Sequence, residues 1–455
     1  MEAFANIRQR WRAWRQESTN RAIFGAALTI AFTTLLVNAA TVLKDIDVAR
    51  IFGVSDALDV FLMANLIPTF CISVLAGSLF TSFVPVYIGV RETGSAVQAQ
   101  QLLSNVTFLA ITLFLVTGAM LFVCDRWVIP LIASGFDAEK LSRTVDLFDW
   151  LLPMILIGGL ALFGGSVLNA QKRFALAGLA PIFSPVIIVL ILVLAGDAAD
   201  PKLLAIGTLI GATIQLGVVF RGIHKLGHSL VPKWHGVDEH SRRVIAQYLP
   251  MIGGAFVMSA TVVVDQIMVA WLPRGSVSAL NFGGKVPTMI NSLGATAVGN
   301  AVLPYLSHQV ALGDYAALRH TIRTYSRLIL GVSIPVVLVA YLFARPTVAV
   351  LFERGAFQQH DTDLVSQILR CSVLQIPFYL LGTLFARLVS ALRGNRVLLY
   401  GAIINVIINA GMNIILMRFM GAAGIALSTA IVYFVSTLFL YVYSAMTIRE
   451  RVTAR

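Results

Sequence analysis

In a chain of 455 residues that is 58% hydrophobic and only 12% charged, the ionisable side chains that fall within apolar stretches are the ones equipped to do chemistry. Charge in hydrocarbon is costly and persists where it pairs, binds or conducts. Two sets stand out. Lys44, Asp45, Asp47 and Arg50 end the first apolar stretch, Asp59 opens the second, and Lys285 lies one to two turns inside the eighth. A cavity lined by Lys44, Arg50 and Lys285 suits an anionic headgroup such as a diphosphate, because ammonium and guanidinium groups make charge-assisted hydrogen bonds to phosphoryl oxygens. The competing reading is interfacial: Lys44 and Arg50 pair with Asp45 and Asp59, and Lys285 reaches polar surroundings along its aliphatic stem.

The second set has a different character. Asp265 lies within the seventh apolar stretch, Asn405 and Asn409 are four apart on one helical face of the eleventh, and Ser428 and Thr429 follow on the twelfth. One carboxylate among amide, hydroxyl and backbone oxygens is a hard-oxygen set appropriate to a small alkali cation. Protonation of Asp265 and plain interhelical hydrogen bonding by the asparagines fit the same residues. No phosphate-cradling loop with a following lysine and no nucleophile, histidine and acid in a supporting motif occurs, so the chain reads as a non-enzyme. The histidines His224, His228, His235 and His240 crowd one polar connection near Lys225 and Lys233 and read as solvated surface rather than metal ligands. Cys71, Cys124 and Cys371 sit in or beside apolar runs, which gives no disulfide framework.

The elements that must position these residues are helices. About twelve apolar segments are each long enough to cross a hydrocarbon core of roughly 30 Å. The fold class expected is an all-α polytopic membrane protein, with two parallel six-helix repeats around a central cavity. The connections alternate in charge. With the N-terminus inside, cytoplasmic connections collect 21 basic against 7 acidic residues, whereas the opposite ones hold 10 basic and 15 acidic. The net charge of +12 is therefore a positive-inside topology signal and not a nucleic-acid footprint, and it places both termini in the cytoplasm. Residues 1–21 form a basic segment in which Phe4, Ile7, Trp11 and Trp14 recur at helical spacing, as in an interfacial helix. Lobes at 22–223 and 244–446 follow, joined by a basic linker at 224–243, and 447–455 is a tail.

The two lobes resemble each other in their punctuation. Phe83-Val-Pro-Val-Tyr87, then Trp127 to Phe136, then Ser166 to Arg173 is matched by Leu303-Pro-Tyr-Leu306, Pro346 to Gly355 and Ser390 to Arg396. The Pro85 to Gly135 and Pro304 to Gly355 separations differ by one residue. Pro68, Gly77 and Pro85 in the second segment, and Gly283, Gly284, Pro287, Gly294, Gly299 and Pro304 in the eighth, predict corresponding broken helices. Such pairs point to a transport pathway between repeats.

Ala49-Arg-Ile-Phe-Gly53, Asp59-Val-Phe61, Pro68 and Phe83-Val-Pro-Val86 resemble the opening of the MurJ/MviN family of lipid II flippases. The likeness continues through Gly275-Ser-Val-Ser278, Leu303-Pro304, Leu351 to Phe357 and Asn405-Val-Ile-Ile-Asn409, and so covers nearly the whole chain. It implies the multidrug/oligosaccharidyl-lipid/polysaccharide exporter fold in a bacterial inner membrane. It also implies alternating-access movement of an undecaprenyl-diphosphate-linked glycan, with membrane lipids and cell-envelope glycan synthesis machinery as surroundings. A Na+ site follows from it, on the matching Asp265, Asn405, Asn409 and Thr429 with the Ile425 carbonyl. The sequence departs from the family where first-span arginines become Asn38 and Lys44, where a second-span arginine falls at Ile72 and Ser73, and where an eighth-span arginine becomes Lys285 beside Gly284. It also ends after the twelfth span, where members commonly carry two more. The substrate set implied is therefore Asn38, Lys44, Arg50, Asp59 and Lys285. Lipid II leads, with an exopolysaccharide or O-antigen repeat unit as its rival. Cation-coupled small-molecule efflux is an alternative of another class, and it requires an anionic or aromatic cavity.

Overall fold

The computed structural model describes residues 19–196, 200–229 and 232–453, so the expected interfacial helix around Trp11 lies outside the described residues. The first lobe contains α1 (Thr19–Phe52), α2 (Asp56–Cys71), α3 (Gly77–Thr93), α4 (Ala96–Ile132), α5 (Ala138–Leu151), α6 (Pro153–Ala170), α7 (Phe174–Leu179), α8 (Phe183–Ala195) and α9 (Pro201–His224). The second contains α10 (Glu239–Val269), α11 (Ser276–Gly283), α12 (Lys285–Leu312), α13 (Tyr315–Leu342), α14 (Ala344–Phe352), α15 (Gln359–Val373), α16 (Gln375–Ala391), α17 (Asn395–Met420) and α18 (Ala422–Thr453). Helix starts are set by side chains that accept otherwise orphaned backbone N–H groups. Ser95 forms a capping box with Gln98 ahead of α4, and Asp137, Asp200, Asp238 and Asp314 cap α5, α9, α10 and α13.

Among the described residues, eleven helical segments are long and apolar enough to cross a membrane. The twelfth crossing is α12, whose 28 residues span about 42 Å at 1.5 Å per residue. It is less apolar because Thr288, Asn291, Ser292 and Thr296 punctuate it. The chain is thus an all-α, multi-pass membrane protein of about twelve crossings. Within lobes, α9 packs on α6 and α8, while α16 and α17 pack on α18; α10 touches α3 of one lobe and α17 of the other. Counting crossings puts the loops at 53–55, 133–137, 270–275 and 353–358 on one face, called distal here. The linker, described at 225–229 and 232–238, lies on the opposite, linker face.

Both broken helices are present, and their breaks are local. Between α2 and α3 the chain makes a π-helical turn, Ile72–Ala76, just after Pro68. Such turns free carbonyls from the regular ladder. The Tyr248 hydroxyl of α10 donates to one of them, Leu75 O, at 3.1 Å. The other break is Gly284, which separates α11 from α12 and makes Lys285 the first residue of the longer helix.

The linker is strapped to the first lobe. Buried Ser104 and Asn105 of α4 bond the backbone of Lys233, His235 and Gly236, and Asn105 also donates to Ser241 Oγ at the start of α10. His228 is not solvated surface as its loop composition implied. It lies 2.9 Å from Gln171 Nε2, 3.2 Å from Gln100 Oε1 and 3.4 Å from the Tyr87 hydroxyl. Burial, aided by the nearby Arg91 guanidinium, holds its imidazole below the usual histidine range.

Candidate functional site

Lys44, Asp45 and Lys285 of the first charged set converge on a cavity of about 370 Å³ between the lobes, whose walls also include Thr41, Asn65 and Asn281. Here α1 carries Lys44 and Asp45 toward the break that begins α12. Asp45 is the hub. Its carboxylate lies 2.8 Å from Lys44 Nζ through Oδ1 and 3.1 Å from Lys285 Nζ through Oδ2, and the residue is only 4% exposed. A buried carboxylate with no counter-charge is costly by several kcal/mol on general grounds. Two lysines more than compensate one carboxylate, so the cluster keeps a net positive charge facing open volume. Among the described residues, Asn65 Oδ1, also on the wall, is buried without a hydrogen-bond partner. One to two turns away, Asn38 donates to Ser292 Oγ at 3.1 Å, which joins α1 to α12 again.

Like Asn38, two more of the residues expected to bind substrate, Arg50 and Asp59, do not line this cavity. Asp59 is 1% exposed and does not line the cavity. Its carboxylate accepts from the backbone N–H groups of Gly275 (2.9 Å) and Ser278 (2.7 Å) and from Lys140 Nζ (2.9 Å). It therefore caps α11 from across the lobe boundary, because a carboxylate is the natural acceptor for orphaned N–H groups at a helix start. Such charge-assisted bonds contribute about 1.5–3 kcal/mol each. Arg50 is also outside the cavity, 3.7 Å from Asp47, with its backbone carbonyl accepting from Ala356 N–H at 2.7 Å. Both residues belong to a distal seal between the lobes. Arg274 extends it to Asp56 (3.4 Å) and Asp137 (3.3 Å), and Trp271 Nε1 donates to Ser134 Oγ at 2.8 Å. A bond from Lys140 N–H holds the exposed Asp137 carboxyl below the ordinary range, with Arg274 acting the same way.

The second set gathers inside the second lobe. Asp265 of α10 accepts from Asn409 Nδ2 at 3.0 Å and Asn413 Nδ2 at 2.7 Å through Oδ1, and from the Thr429 hydroxyl at 3.1 Å through Oδ2. Thr429 Oγ1 also lies 3.2 Å from Ile425 O. Asn405 is not brought to this carboxylate and instead donates to Ser436 Oγ at 3.1 Å. Its place is taken by Asn413, which the sequence reading passed over. The signal was present, since 405, 409 and 413 form one i, i+4, i+8 series. Each four-residue step turns about 40° around the helix, so only part of such a series faces one partner. Among the described residues Asn413 Oδ1 is buried with no hydrogen-bond partner, a spare oxygen available to a small cation. A single carboxylate with neutral oxygens matches a monovalent hard ion.

A profile of the family described as "Lipid II flippase MurJ" matches residues 48–450. The Vibrio cholerae protein named "Probable lipid II flippase MurJ" is 25% identical over 437 residues, which cover 93% of this chain and 83% of that protein. The "Lipid II flippase MurJ" of Burkholderia cenocepacia is 26% identical over 372 residues, covering 76% and 69%. Among solved structures, "Lipid II flippase MurJ, inward closed conformation" is similar with a TM-score of 0.79 at 24% identity, covering 91% of this chain and 87% of that one. An inward-facing multidrug resistance MATE transporter of the MOP superfamily follows with a TM-score of 0.75 at 15% identity, covering 93% and 99%. The structural likenesses speak to the fold.

Proposed function

Because this chain belongs to the MurJ family of lipid II flippases, we propose that it carries lipid II from the inner to the outer leaflet of the bacterial cytoplasmic membrane by alternating access of one cavity. It acts as a transporter and not as a catalyst. The observation that carries this reading is the Lys44–Asp45–Lys285 cluster, a net-positive group facing a cavity at the lobe boundary. A diphosphate supplies the missing negative charge, and its oxygens accept from both ammonium groups in a site shielded from bulk water. The net-basic wall also argues against the efflux of organic cations. With the linker face in the cytoplasm, as the loop charges indicate, the distal seal closes the outer side and the cavity loads from within.

Sodium is the proposed coupling ion, held by Asp265, Asn409, Asn413, Thr429 and the Ile425 carbonyl. Bound there, it would neutralise the Asp265 carboxylate. Because Asp265 joins α10 to α17 and α18, an ion held there would bear on how these helices pack.

The test is transfer of a fluorescent lipid II across liposomes containing the purified protein. Protein-dependent transfer is expected, faster with a sodium gradient than with a potassium gradient. Absence of transfer in either salt overturns the flippase reading. For orientation, a Lys233→Cys variant resists a membrane-impermeant thiol reagent in intact cells, and strong labelling would reverse the topology.

A further inference from the structure

Four glycines in the distal loops, Gly53, Gly135, Gly275 and Gly355, leave no room for a side chain, and Gly135 and Gly355 meet the nearest obstacles. A Cβ built on Gly135 falls 2.1 Å from the carbonyl oxygen of Ala270 and 2.6 Å from Trp271 Cα. One built on Gly355 falls 2.2 Å from the carbonyl oxygen of Arg50 and 2.9 Å from Arg50 Cγ. Each contact crosses the lobe boundary, and each obstacle includes backbone, which cannot swing aside. The two are related by the internal repeat, because Gly135 and Gly355 fall at equivalent distances after Pro85 and Pro304. Their partners are equivalent as well, since Arg50 and Ala270 stand at the distal ends of α1 and α10, the opening helices of the two lobes.

Next to each glycine a hydrogen bond crosses the same boundary, from Ala356 N–H to Arg50 O and from Trp271 Nε1 to Ser134 Oγ. The supports are stiff. Phe352 and Phe357, on either side of Gly355, are buried against Phe282 with ring centroids 5.1 and 5.6 Å away. Ala133 and Ala270 are buried too, and Phe136 lies under the Lys140 ammonium at 3.9 Å. A packed contact of this kind is occupied or broken, with little continuous give between.

We propose that Gly135 and Gly355 form a paired, pseudo-symmetric latch, in which bare backbone of each lobe seats against the end of the other lobe's first helix and so defines the closed state of the distal gate. A methyl group at Gly135 disfavours closure and leaves the distal-open state unaffected. The idea rests on the alternating-access reading above. Gly135 is the cleaner probe, because it lies outside the left-handed region, whereas Gly355 has φ +62° and a side chain there is strained on its own account.

The test is pulsed spin-label distance measurement on the full chain in liposomes, in a background with Cys71, Cys124 and Cys371 replaced by alanine. One label pair, Glu139→Cys with Gln359→Cys, reports the distal face; another, Thr93→Cys with Asn395→Cys, reports the linker face. In Gly135→Ala the population with a long distal distance rises on the order of tenfold, as expected when overpacking opposes one of two states, and the linker-face distance shortens in step. Gly331→Ala, whose added methyl meets nothing within 4 Å, leaves both distributions unchanged. If Gly135→Ala does not fold, Ser134→Ala at its exposed position loses only the Trp271 bond and moves the distal distribution the same way by less. Unchanged distal distances in every folded variant overturn the latch. Lipid II transfer by the same samples separates the two ideas: distal opening with transfer at the wild-type rate supports the latch and counts against alternating access.

Discussion

The two charge clusters inside the membrane solve opposite problems. At the lobe boundary, Asp45 is shared by Lys44 and Lys285, so the group carries one positive charge too many and faces a cavity. Within the second lobe, Asp265 is met by Asn409, Asn413 and Thr429, all neutral, so these partners bring no compensating positive charge. In the proposed function the first cluster takes an anion and the second a cation. Their positions match those needs: a bulky anionic headgroup requires the space between lobes, whereas a monovalent cation is satisfied by a few oxygens between three helices.

The comparison is broken most directly at Lys285. Replacing it by alanine leaves Asp45 with Lys44 alone and cancels the excess charge. Truncating one partner of a buried charge pair costs about 2–5 kcal/mol, so transfer of lipid II falls by roughly 30-fold or more. Lys285→Arg keeps the charge and retains part of the activity. Wild-type transfer by the alanine variant would remove the diphosphate from this cluster.

The second cluster is tested by salt. Thermal unfolding in matched sodium and potassium buffers is expected to show a higher midpoint in sodium, since a ligand at about 100 times its Kd adds about 2.7 kcal/mol to the folded state. Asp265→Asn abolishes the difference. Equal midpoints for the unmodified protein would leave Asp265 as a proton carrier or a structural residue.

A smaller effect sharpens the ligand set. Asn413→Ala reduces the sodium-dependent shift more than Asn405→Ala, because Asn413 touches Asp265 whereas Asn405 bonds Ser436. The reverse order would restore Asn405 as the ligand and displace Asn413.

The smallest expected effect lies outside both clusters, at the linker. His228 has a depressed folded-state pKa, so the unfolded or detached linker binds the proton more readily. Its contribution is intact above about pH 6.5 and is lost as pH falls through and below that value. Hydrogen exchange in residues 225–238 is expected to quicken between pH 7.5 and 5.5 beyond its intrinsic pH dependence. His228→Gln removes that excess.

Much of the molecule was legible in the residues themselves. Long apolar segments admit few structures in a bilayer, where backbone groups must be satisfied internally, so the helical class follows from composition. The loop charges gave an expected orientation, the Pro and Gly punctuation an expected repeat, and the positions of Lys44, Lys285 and Asp265 the expectation of charge inside the membrane. Helical spacing also put Asn405 and Asn409 on one face. It could not say which turn of that face would meet Asp265, because the axial register of α17 against α10 is set by packing along their whole length.

Only tertiary structure decided the remaining roles. Asp45 reads in sequence as a neighbour of Lys44 and becomes a bridge once α12 delivers Lys285 to it. Asp59 looks like one more charge beside the cavity, yet it caps a helix in the other lobe, from 216 residues away to Gly275. Arg50 and Gly355 lie in separate short motifs and acquire a joint role only where the lobes close. The physical reason is the same in each case: residue type and local periodicity fix what a side chain can bond and which way it leaves its helix. The partner it meets depends on the tilt, register and closure of helices far away in the chain.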